Sequence, residues 1–119
     1  MTEEEHQENL RYKIVDLYNE VKSIKQTVQN CARRFGQLGW DENAADAKAE
    51  EALAELETAD TGALEDHRNA LREVLTSAAD VLSQYQVQTD QMPGRGGISG
   101  IVVRSGINRA NITLERTTE

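Results

Sequence analysis

Nine apolar side chains fall along the first third of the chain in steps that never miss. Leu10, Ile14, Leu17, Val21, Ile24, Val28, Cys31, Phe35 and Leu38 are spaced 4, 3, 4, 3, 4, 3, 4, 3. A 3.5-residue period puts all of them on one narrow stripe of an α-helix. Ile14, Val21 and Val28, with Phe35 next in series, alternate with Leu10, Leu17, Ile24, Cys31 and Leu38. A stripe kept in phase this way faces a partner helix and implies a left-handed supercoil. The ridge is too long to leave wet, so the chain is expected to self-associate, or to pair with another protein, through Leu10 to Leu38. Gly36 and Gly39 end the helix near Leu38. Trp40, in the turn that follows, either wedges between helix ends or anchors a partner.

Weaker helical signals follow. Asp41 or Asn43 can cap a second helix, in which Ala45, Ala49, Ala52, Leu56 and Ala59 step by 4, 3, 4, 3 beside Leu53. Its stripe is made of small groups. At about 25 cal/mol per Å2 of apolar area, a buried methyl recovers far less than a leucine, so this segment depends on its neighbours. Thr58-Ala59-Asp60-Thr61-Gly62 reads as a break, where Asp or Thr caps and Gly loosens the helix, with an unbroken helix through Gly62 as the competing reading. Beyond it Leu64, Leu71, Val74, Leu75, Ala78, Val81, Leu82 and Tyr85 form a wider stripe running to about Thr89, enough to touch two other helices. The only proline stands in Met92-Pro93-Gly94-Arg95-Gly96-Gly97, which disfavours helix. After it, Ile98, Ile101-Val102-Val103, Ile107 and Ile112-Thr113-Leu114 are β-formers in short runs. The expected fold is therefore mainly α: an antiparallel helical hairpin or three-helix bundle with coiled-coil character over residues 1–91. A Gly-rich linker and a short β-like tail are expected over 92–119. A lone two-stranded hairpin is marginal in water, so such a tail needs the bundle or another chain.

Charge narrows the function. The chain carries a net charge of -8, and 10 acidic side chains against the single Lys48 stand in residues 41–66. That balance argues against direct nucleic-acid binding, which needs a basic face. A row of carboxylates including Glu50, Glu51 and Glu55 suits a different role, an inhibitor that imitates a phosphate backbone. With one cysteine, no disulfide framework exists within a chain. No apolar run approaches the roughly 18 residues that span a bilayer, so membrane insertion is not expected. The start, Met1-Thr2-Glu3-Glu4-Glu5, lacks the features of a classical signal peptide.

Residues with chemical potential each have a plainer reading. Glu3 and His6 reproduce one Glu-x-x-His pair, whereas di-iron bundles need two such pairs and further carboxylates. His67 follows Glu65-Asp66 without a second ligand at metal spacing. Cys31 fills a small apolar position on the stripe and lacks a nearby base. Gly94-Arg95-Gly96-Gly97-Ile98-Ser99-Gly100 resembles a phosphate loop only superficially, with neither a preceding strand nor a lysine. No triad, oxyanion hole or cofactor loop is visible. The reading is non-enzymatic, with no catalytic residue, metal or cofactor.

Residues 10–91, with two long amphipathic helices joined at a Gly/Trp turn, resemble the small Ala/Glu-rich helical-hairpin proteins of actinobacteria related to the Trp-x-Gly type VII secretion substrates. The resemblance implies a helical hairpin exported by a type VII-like system. The turn here reads Gly39-Trp40-Asp41 in place of Trp-x-Gly. Tyr85 has Thr89 four residues on, where that family has an acid; Tyr12 and Asp16 keep the spacing on the first helix. No functional residue is carried over. The expected setting is cytoplasmic, or within a virion or secretion assembly.

Overall fold

The expected first helix forms. In a computed structural model that describes residues 2–118, α1 spans Glu3–Phe35. Thr2 caps it, its hydroxyl accepting the Glu5 N–H at 3.1 Å. Glu3, Glu4 and Glu5 in the first turn and Arg33 and Arg34 in the last complement the helix dipole. Gly36, at φ +97°, ends it. Leu38 therefore lies in the turn, just beyond the helix assigned to it from sequence. Helix α2 spans Glu42–Ala54 and α3 spans Thr61–Asp90. Asp41 caps the one at Ala44 N–H and Asp60 caps the other at Ala63 N–H, both at 2.9 Å. The break expected around Asp60 thus separates two helices.

Polar contacts fix the directions. His6 Nε2 stands 3.2 Å from Glu65 Oε1, and Gln7 donates to the Thr61 hydroxyl at 3.0 Å, so α1 and α3 start side by side. At the other end the Tyr85 hydroxyl donates to Gly36 O at 2.7 Å. The two long helices are parallel. The α3 stripe Leu64, Arg68, Leu71, Leu75, Ala78, Leu82, Tyr85 and Thr89 steps by 4, 3, 4, 3, 4, 3, 4 and is buried along its whole length. It meets the α1 stripe, and the two make the core.

Helix α2 returns antiparallel along one edge of this pair, with Asp46 at Lys22 and Lys25 and with Leu56 O, just past its end, at Arg11. Residues 97–116, assigned to a β-like tail, are instead a fourth helix, α4 (Gly97–Arg116). It returns along the opposite edge, with Arg109 at Ser23 and Arg116 at Asp16. The expected hairpin or three-helix bundle is thus an up-down-up-down four-helix bundle. It is flattened, 54 × 26 × 15 Å across its Cα atoms, because α1 and α3 touch directly while α2 and α4 make no contact among the described residues.

The β reading of the tail failed because α4 is packed through its small residues. Gly100, Val103, Gly106, Ala110, Thr113 and Thr117 face the core. A Cβ on Gly106 would stand 3.0 Å from Leu82 Cδ1 and 3.4 Å from Thr27 Cγ2, so glycine sets how close α4 approaches. The expected linker shrinks to one 3-10 turn, Pro93–Gly96. Gly94, Arg95, Gly96 and Gly97 all take positive φ there, and Arg95, at +56°, is the one non-glycine residue described in that region. Left-handed backbone costs such a residue about 1–2 kcal/mol.

Candidate interaction surface

The stripe expected to meet another molecule is already covered. Leu10, Ile14, Leu17, Val21, Ile24, Val28 and Cys31 are buried inside the single chain, against α3, α2 and α4. This corrects the premise that the ridge needs a second chain to stay dry. Phe35 is half-buried, its ring centroid 6.2 Å from that of Tyr85. Trp40 is half-buried and packed on the core, between two hollows in the α1–α2 turn. Of the residues assigned to an interface, only Leu38 is exposed.

The acidic segment is engaged at home. Lys22 and Lys25 both donate to Asp46, Lys22 reaches Glu50 at 2.7 Å, and the Tyr18 hydroxyl donates to Glu50 at 2.9 Å. These ammonium groups hold the Asp46 carboxyl below its ordinary value, the Lys25 contact foremost. Lys22 is raised in turn by Glu50 and then Asp46. His67 Nε2 lies 3.1 Å from Glu55 Oε1. Glu51 remains exposed. Among the described residues no three His, Cys, Asp or Glu side chains converge as a metal site would require. Burial raises the Cys31 thiol, which favours its protonated form.

Helix α4 presents the opposite situation. Mostly small side chains turn inward with Val103, and three large ones point out: Ile98 is 81% exposed, Ile101 60% and Ile112 52%. Ile98, Ile101, Ser105 and Ile112 are spaced 3, 4 and 7, a single helical face. Val102, also exposed, joins Ile98 in a hollow against Asn30, Cys31, Arg34 and Phe35 of α1. Sequence reasoning missed this face by reading its residues as strand formers. The 3, 4, 7 spacing was the available signal.

Arginines tie α4 down on both sides. Arg116 forks onto Asp16, at 2.7 and 2.9 Å, and Arg109 donates to the Ser23 hydroxyl at 3.1 Å. From α3, Arg72 donates to Leu114 O at 3.1 Å. Between α1 and α4, Glu20 lies 3.7 Å from Arg109 Nε. Burial raises the Glu20 carboxyl above its ordinary value, and Arg109 opposes that shift.

No helix among the described residues is long and apolar enough to cross a membrane. In comparison with known proteins, the chain matches no family model, no curated protein and no solved structure.

Proposed function

We propose that the protein is a non-enzymatic assembly module that self-associates, with the outer face of α4 as its contact surface. One observation carries the reading: Ile98, Ile101 and Ile112 of one helix face lie in water, while apart from Val103 the buried positions of that helix are glycine, alanine and threonine. A chain that needed only to fold would gain more from the reverse arrangement, since hydrophobic stabilisation grows with the apolar area removed from water. Large apolar side chains gathered on one exposed face mark a contact surface. Asp46 and Glu50 already have lysine partners on α1, which takes both out of any carboxylate row that could imitate a phosphate backbone and so favours this reading over mimicry.

Light scattering on the full chain tests it. The expected mass exceeds 13.3 kDa and falls back to that value in the double variant I98S/I101S. A chain that stays at 13.3 kDa at every concentration contradicts the proposal.

A further inference from the structure

The turn before α4 is short, and Arg95 is its one residue held in a costly left-handed backbone. Four successive residues, Gly94 to Gly97, have φ between +56° and +79°. The turn is also folded tightly onto its own helices. A Cβ on Gly96 would lie 2.7 Å from Thr89 Cβ, and one on Gly100 would lie 2.1 Å from Arg95 O. No side chain caps the start of α4. The seat on α1 and α3, by contrast, is specific: a close approach at Gly106, a fork from Arg116 to Asp16, and Arg72 on Leu114 O. None of those contacts depends on which copy supplies α4.

We propose that the second copy occupies this seat, the two chains opening at Gly94–Gly97 and exchanging α4. The inference rests on the assembly reading and deepens it by naming how the copies join. Exchange reproduces the contacts of α4 with α1 and α3 and gives up those of the turn, such as Arg95 N–H on Met92 O, so the balance turns on the hinge and on what the copies gain beside it. Opening releases the left-handed backbone of Arg95, and short strained hinges favour exchange. Ile98 and Ile101 lie immediately beyond the hinge, where two exchanging chains come together, and are covered there. Association costs translational and rotational freedom, so the exchanged dimer forms as concentration rises.

Cysteine placement tests this in the full-length chain. Cys31 and Ser99 line one hollow between α1 and α4. The variant C31A/S99C is mixed at high concentration with the unaltered chain and oxidised, the two distinguished by a mass tag. Neither chain alone holds the Cys31–residue 99 pair, so a disulfide-linked product of the two requires α4 of one on α1 of the other. That product is expected. G96A, which blocks the closed turn, should raise the dimer fraction roughly tenfold, and R95G, which relieves it, should lower the fraction by a similar factor. If G96A loses its helical circular dichroism, the R95G result carries the hinge test. A dimer whose mixture gives no cross-chain product, while S99C alone bridges within one chain, overturns exchange and leaves assembly standing. A monomer at every concentration overturns both.

Discussion

Helices α1 and α4 solve the same packing problem in opposite ways. Helix α1 turns Leu, Ile and Val inward at every step from Leu10 to Val28, and its outer face is largely polar. Helix α4 turns glycine, alanine and threonine inward beside a single valine, Val103, and leaves Ile98, Ile101 and Ile112 outside. The first arrangement gains stability from apolar area. The second gains close approach and polar ties, and leaves part of its apolar area in water. The comparison teaches that α1 fills the core of the single chain with large side chains, whereas α4 packs closely through small ones and leaves three isoleucines in water, the face we propose as the contact surface.

The largest expected effect tests the α1 half. Leu17→Ala removes a fully buried side chain from the α1–α3 core and should cost about 2–5 kcal/mol in urea unfolding. A cost no greater than that of a surface substitution would break the contrast. Gly106→Leu places a side chain where a single Cβ already meets Leu82 at 3.0 Å. It should cost about 1–3 kcal/mol and speed amide exchange in α4 more than in α1 or α3. Uniform loss of protection would show that α4 is as integral as α1.

Charge tests the two edges separately. Asp46 is held below its ordinary value by Lys25 and Lys22, so its contribution is complete above the ordinary carboxylate range and is lost as pH falls through its folded value. Asp46→Asn should cost at most about 1 kcal/mol at neutral pH, since these groups are partly solvated, and should flatten the acid side of the stability profile. Glu20 has the opposite sign. Its raised carboxyl makes stability fall as pH rises from the ordinary carboxylate value to its folded one, and Glu20→Gln should remove that decline. The smallest expected effect falls on the outer face of α4. Ile101→Ser should change the stability of the monomer by less than about 0.5 kcal/mol while weakening association.

Helix α1 was legible because every side chain of its apolar stripe from Leu10 to Cys31 is one that the fold buries. The caps at Asp41 and Asp60 were legible for a local reason, a side-chain oxygen that meets a free backbone N–H. Two things were not. That the α1 ridge would be covered from within depends on α3 lying parallel to it, a long-range pairing that no local pattern declares. The α4 helix was hidden because a pattern search follows large apolar residues. Here the isoleucines Ile98, Ile101 and Ile112 mark the exposed face, while Gly100 and Gly106, which such a search skips, mark the buried one. The isoleucine face is consequently the part of the candidate surface that a search for buried large residues passes over despite its 3, 4, 7 spacing, whereas the stripe from Leu10 to Cys31 pointed to the core.

Amide hydrogen exchange on the chain at high dilution, where light scattering gives 13.3 kDa, puts the internal covering of α1 to its most direct test. The amides of residues 10–31 should then exchange as slowly as global unfolding allows, as slowly as those of residues 64–85. Rapid exchange across 10–31 in the dilute chain, slowed only as concentration rises, would show that the ridge needs a second molecule and would contradict the account.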